Sequence, residues 1–247
     1  MIIANWKSNG GHQIIKDWCY DFSCDIDIST PAREPYIGIA PPALFVHLLE
    51  SDLHLKSVHI GLQDVDHSSG SRTGAISVEM LEDHKVEFAI VGHSERREIF
   101  NEDNDLIKEK LKSLNKRITS ILCIGETKEE NAKGITKDIL KDQLEIVNEL
   151  DLDKSFTVAY EPVWAIGSGL TPDPKDINEI HKYIKDVVQS NSANNLIPKV
   201  LYGGSVTDKN AESFFKEEFV DGALVGGASL DGSTFARIVN IFNGIEK

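Results

Sequence analysis

The stretch Phe156-Thr157-Val158-Ala159-Tyr160-Glu161-Pro162-Val163-Trp164-Ala165-Ile166-Gly167-Ser168-Gly169 begins as a short apolar strand and ends in a flexible glycine segment. Asp173-Pro174 follows, a good N-cap and first-turn pair. Ile177, Ile180, Ile184 and Val187 then step by three and four, the spacing of one helix face. Strand, loop and helix in that order form the repeating part of a parallel βαβ unit.

The same cadence runs along the whole chain. Short apolar runs stand at Ile2–Trp6, Tyr36–Ala40, Val58–Leu62, Phe88–Val91, Ile118–Ile124, Phe156–Tyr160, Val200–Tyr202 and Ala223–Val225. They lack polar/apolar alternation, so they read as strands buried on both faces, as in parallel sheets. Helical stripes recur at Ile107, Leu111 and Leu114, and at Ile135, Ile139, Leu140, Leu144, Val147 and Leu150. Eight such units in 247 residues, with no linker-like break, predict one α/β domain over residues 1–247. It is a (β/α)8 barrel of eight parallel strands, each followed by a helix, rather than a large open sheet. No G-x-G-x-x-G follows the first strand, which counts against a dinucleotide fold.

Twenty-six basic and 40 acidic residues leave a net charge of −14. That balance argues against nucleic acid and anionic membranes as partners, and no lysine or arginine run reverses it locally. The start, Met1-Ile2-Ile3-Ala4-Asn5-Trp6-Lys7, breaks its apolar run too early for a signal peptide, and no run is long enough for a membrane helix. Cys19, Cys24 and Cys123 form no CxxC and fit a reducing compartment, so a cytoplasmic location is expected. His54, His59 and His67 lack zinc-ligand spacing, and neither metal nor cofactor is expected.

In such a barrel the chemistry sits where strands run into their following loops. Those ends read Asn5-Trp6-Lys7, Gln63-Asp64, Gly92-His93-Ser94-Glu95-Arg96-Arg97, Cys123-Ile124-Gly125-Glu126, Tyr160-Glu161-Pro162, Tyr202-Gly203-Gly204-Ser205 and Val225-Gly226-Gly227. Glycine pairs after the last two strands let backbone N–H groups approach a phosphate. His93 precedes a helix start, which disfavours a cationic imidazole and favours a neutral donor. Lys7 could hold an anionic substrate. The segment Pro162–Ile166, apolar and followed by glycines, reads as a lid that excludes water. Glu161 and Glu126 are both candidate bases; the adjoining lid favours Glu161, because closing it would desolvate the carboxylate. A base, a neutral imidazole, a lysine and a phosphate cradle suit proton abstraction beside a carbonyl in a small phosphorylated substrate. A Schiff-base aldolase would need a barrel lysine that Phe156–Glu161 does not carry.

Taken in order and spacing, these blocks, together with Val91 ahead of Gly92, Tyr160–Gly167, Val206 and Leu224–Ala228, resemble the triosephosphate isomerase family over essentially the whole chain. The resemblance implies a TIM barrel and interconversion of dihydroxyacetone phosphate and D-glyceraldehyde 3-phosphate in glycolysis and gluconeogenesis. Glu161 would be the base, His93 the electrophile and proton shuttle, and Lys7 with Asn5 the oxyanion stabilisers. Backbone groups of Gly167, Ser205, Gly226 and Gly227 would hold the phosphate. The lid would comprise Pro162, Val163, Trp164, Ala165, Ile166, Gly167, Ser168, Gly169, Leu170, Thr171 and Pro172. Ser94, Glu95 and Cys123 would support the site. A homodimer is implied, with Gln63, Thr73, Gly74 and Arg96 at the interface; Gly70 also fits that loop, and Thr73 would approach the partner's Asn5 and Glu95.

Three departures stand out. Ser8 replaces an apolar residue that would anchor the interface. Thr73-Gly74-Ala75 lacks the carboxylate that would follow Thr-Gly and pair with an arginine across it, a pair worth ~0–1 kcal/mol if exposed. Leu170-Thr171-Pro172 places proline in the distal hinge, where it restricts the open loop.

Overall fold

The computed structural model describes residues 1–27, 36–53, 58–84, 86–114, 116, 118–166 and 171–245. Its strands are β1 (Ile2–Asn5), β2 (Ile37–Ala40), β3 (Val58–Leu62), β4 (Phe88–Val91), β5 (Thr119–Ile124), β6 (Phe156–Tyr160), β7 (Lys199–Tyr202) and β8 (Ala223–Val225). All pair in parallel and in chain order, and β8 returns to β1 through the register Ile2↔Ala223 to close the barrel. Each of the eight expected strands is present: β3, β4, β6 and β8 have the expected bounds, and β1, β2, β5 and β7 differ by one residue at one end, within the usual uncertainty of element boundaries.

The helices are α1 (His12–Asp25), α2 (Val46–Asp52), α3 (Val78–Asp83), α4 (Ser94–Ile99) and α5 (Asn104–Leu114) in the first half. The second half adds α6 (Lys128–Ala132), α7 (Thr136–Leu144), α8 (Pro174–Asn191), α9 (Ala211–Phe215) and α10 (Gly232–Asn243). Asp173 caps α8 as its sequence predicts, its carboxylate accepting from Lys175 N at 2.9 Å. The long stripe from Ile135 to Leu150 is α-helical only to Leu144 and tightens to a 3₁₀ turn over Glu145–Glu149. Among the described residues no helix is long and apolar enough to cross a membrane.

Strand side chains alternate between two cores. One set, including Ile3, Phe88, Ile90, Ile121, Cys123, Ala159 and Leu201, fills the barrel interior. The other, including Ile2, Ala4, Ala89, Val91, Leu122 and Val158, packs outward against the helices. This is why the strands carry no polar face. Phe88 plugs the interior where β3 carries Gly61: a Cβ there would stand 2.3 Å from the ring. With the interior filled, a cleft opens at the carboxyl ends of the strands.

Candidate active site

Three strand ends converge. Asn5 ends β1, His93 follows β4 as the N-cap of α4, and Glu161 directly follows β6. Their side chains are almost wholly buried, at 5%, 5% and 1% exposure. With Lys7, Ser205, Gly226 and Gly227 they line a cleft of about 280 Å³.

The imidazole of His93 is fixed from both sides. Its Nδ1 accepts from the backbone N–H of Glu95 at 3.2 Å, which places the ring proton of the neutral form on Nε2. That Nε2 lies 2.9 Å from Glu161 Oε1. The other carboxylate oxygen of Glu161 accepts from Ser94 N at 2.9 Å. Burial alone would raise the Glu161 pKa, but His93, the Ser94 N–H and Lys7 together hold it below the ordinary carboxylate value. Burial alone would lower that of His93, but the adjoining carboxylate holds it above the ordinary imidazole value. Gly203 makes the arrangement possible: a Cβ there would stand 2.8 Å from Glu161 Cγ.

Lys7 adopts a left-handed backbone, φ 49°, rare for a residue with a Cβ. Its ammonium pairs with Glu95 Oε1 at 2.6 Å. Beside the lysine, a Cβ at Gly226 would stand 3.7 Å from Lys7 Cε, and nothing stands within 4 Å of one at Gly227, which leaves room for an anion next to that backbone. Ser205 Oγ donates to Ala165 O at 2.7 Å and so ties the β7 loop to the start of the expected lid. Pro162 to Ile166, Thr171 and Pro172 are described, with Val163–Ala165 in one 3₁₀ turn. Gly167, Ser168, Gly169 and Leu170 lie outside the described residues, as does His54.

Glu126, the other candidate base, does not line this cleft. It is fully buried and accepts from Trp164 Nε1 at 2.8 Å, Tyr160 OH at 3.1 Å and Asn131 Nδ2 at 3.2 Å. Burial raises its pKa against those hydrogen bonds. It anchors the first half of the expected lid. Cys123 points into the barrel interior, and burial pushes its thiol well above the ordinary value, so it is packing beneath the site.

The residues expected at an interface behave differently from one another. Gln63 spends its amide within the chain, on Lys7 O and Ala40 O, both at 2.9 Å. Arg96 pairs with Asp64 at 2.9 Å and Glu102 at 2.6 Å. Thr73 and Gly74 are exposed on the loop between β3 and α3. Sequence reasoning passed over Leu230, which lines the cleft near Gly227, and Asn9, whose amide caps Trp6 O at 2.8 Å. Only the position of Leu230, three residues past the last glycine pair, hinted at it.

Comparison with known proteins places this geometry in a family. The family model described as triosephosphate isomerase matches residues 1–242. Triosephosphate isomerase of Buchnera aphidicola subsp. Schizaphis graminum is 40% identical over 98% of this chain and 96% of that protein. Those of Aquifex aeolicus and Klebsiella pneumoniae are 39% and 35% identical, covering 98% and 100% of this chain and 99% and 98% of their own lengths. A closed eight-stranded parallel barrel and whole-chain matches at these identities agree, and the chain is an enzyme of the triosephosphate isomerase family.

Proposed function

We propose that this chain interconverts dihydroxyacetone phosphate and D-glyceraldehyde 3-phosphate through an enediol, with Glu161 as base. The carboxylate leaves Ser94 N–H and takes a proton from the hydroxymethyl carbon of the ketose. His93 Nε2–H donates to the carbonyl oxygen as charge develops there, and takes a proton back from the neighbouring hydroxyl. Glu161 then returns its proton to the adjacent carbon, which yields the aldehyde. Lys7 and Asn5 stabilise the developing oxyanion. Backbone N–H groups at Ser205, Gly226 and Gly227, with Gly167 from the lid, hold the phosphate. Ser94 and Glu95 support the pair from the start of α4. The whole of residues 1–247 serves this as one catalytic domain.

The observation that carries the reading is the His93–Glu161 contact: a buried carboxylate facing a ring nitrogen whose opposite nitrogen is already bonded to a helix-start amide. It supplies a base and a proton donor on one wall of a cleft sized for a small ligand. Moving the carboxylate away also removes the strongest influence that raises the His93 pKa, which favours the neutral donor during the reaction.

A homodimer accompanies this reading. Leu44, 89% exposed, and Met80, 52% exposed, share one apolar groove beside the loop carrying Thr73 and Gly74, a surface suited to a second copy. A cytoplasmic setting goes with the glycolytic role of the reaction. The test is a coupled assay of purified protein with D-glyceraldehyde 3-phosphate, without added metal or cofactor, alongside light scattering for mass. Turnover near the diffusional regime from a dimer is expected; a folded protein with no turnover would overturn the assignment.

A further inference from the structure

We propose that Gln63 positions the Lys7 ammonium by clamping the Lys7 backbone in its left-handed conformation. The inference rests on the reading of Lys7 as the cation that meets substrate.

Lys7 has every reason to leave φ 49°. A side-chain-bearing residue in this region is disfavoured by roughly 1–2 kcal/mol, and neither neighbour is a glycine that would absorb the turn. Three hydrogen bonds hold it. Lys7 N donates to Asn5 Oδ1 at 3.1 Å, and the preceding carbonyl, Trp6 O, accepts from Asn9 Nδ2 at 2.8 Å. The Asn9 bond is local and would travel with the loop if it relaxed, while Asn5, at the end of β1, holds the Lys7 N–H and leaves its carbonyl free to turn. The third holds that carbonyl: Gln63 Nε2 reaches from the end of β3 to Lys7 O at 2.9 Å and braces itself on Ala40 O, at the end of β2, at 2.9 Å. Gln63 thus ties the Lys7 carbonyl to the ends of β2 and β3.

The brace is itself held. The next residue, Asp64, is paired with Lys110 at 2.6 Å and Arg96 at 2.9 Å, so the end of β3 cannot drift. Without the amide, Lys7 O loses its partner, the residue relaxes toward negative φ, and Nζ leaves its place over the cleft and Glu95.

The experiment is a double-mutant cycle on the full chain with wild type, Gln63→Ala, Lys7→Gly and the double variant. It reads kcat and KM for D-glyceraldehyde 3-phosphate and calorimetric binding of 2-phosphoglycolate. Gln63→Ala is expected to lower kcat/KM by about 10- to 100-fold, the cost of an ångström-scale misplacement, and to raise KM. A merely structural role would reduce active enzyme, and so kcat, with KM unmoved. In the Lys7→Gly background, Gln63→Ala should change kcat/KM by less than about twofold. Losses that multiply overturn the proposal. So does low activity in Lys7→Gly beside unaltered activity in Gln63→Ala. Full activity in Lys7→Gly removes the Lys7 reading and this proposal with it. A crystal structure of Gln63→Glu, equal in size but without the donor, gives a reading free of activity: Lys7 at negative φ supports the clamp, and Lys7 still near its present φ overturns it.

Discussion

His93 Nε2 lies 2.9 Å from Glu161 Oε1, and each residue holds the other's pKa away from the value burial would set. Replacing Glu161 with Gln deletes the carboxylate and keeps the burial. The His93 pKa should then fall from above about 6.5 to below it. Titration of the His93 ring protons by NMR checks this, and an unmoved pKa would mean that another group sets it.

The same pair has a signature in stability. His93, raised in the folded state, contributes stability that is fully present below about pH 6.5 and is lost as pH rises through the raised value. Glu161, lowered, contributes above the ordinary carboxylate value of about 4.3, and this is lost as pH falls through its folded pKa. Urea unfolding against pH at fixed protein concentration should show both flanks in wild type and neither in Glu161→Gln.

Glu161→Asp keeps the charge and withdraws it by one methylene. A carboxylate pinned between His93 and Ser94 and proposed to take a proton from a substrate carbon has little slack. A misplacement of about 1 Å costs on the order of 10²-fold, so kcat should fall by at least that while KM stays close to wild type. Near-wild-type turnover would remove Glu161 from the role of base.

Away from the cleft, Lys110 Nζ bonds Asp64 and Glu102, both at 2.6 Å, while Arg96 bonds the same two carboxylates. Two cations and two anions thus close a ring between β3, α4 and α5, with Lys110 and Glu102 almost wholly buried. Lys110→Met leaves two carboxylates sharing one guanidinium, and breaking a buried set this way costs about 3–5 kcal/mol. Urea midpoints at fixed protein concentration measure it. A loss below 1 kcal/mol would mean that water already screens the ring.

Much of this was legible along the chain, and the parts that were not share a cause. Eight apolar runs foretold eight strands because a doubly covered parallel strand advertises itself by continuous hydrophobicity. The strand-end rule then pointed to Lys7, His93 and Glu161, which the fold brings to one cleft. Illegible were features fixed by long-range geometry. Nothing local marks Lys7 as left-handed, since no glycine stands there. Along the chain only the adjoining lid favours Glu161 over Glu126; that Trp164, Tyr160 and Asn131 occupy Glu126 shows only in the fold. The in-chain partners of Arg96, Asp64 and Glu102, are likewise announced by nothing local.

The expected lid offers the last test, at its distal hinge. Pro172 is buried and stands immediately before Asp173, the N-cap of α8, so the hinge joins a firmly capped helix. Proline fixes φ and removes conformations from the open loop rather than adding contacts to the closed one. Pro172→Ala restores that freedom. At ~0.4–1 kcal/mol for such a substitution, the open form should gain about two- to fivefold in population, with weaker 2-phosphoglycolate binding by the same factor. The chemistry at Glu161 is untouched, so a primary deuterium isotope effect on the proton-transfer step should keep its wild-type value. Relaxation dispersion at Thr171 reads the hinge directly, and exchange rates equal to wild type in the alanine variant would show that Pro172 does not govern the motion.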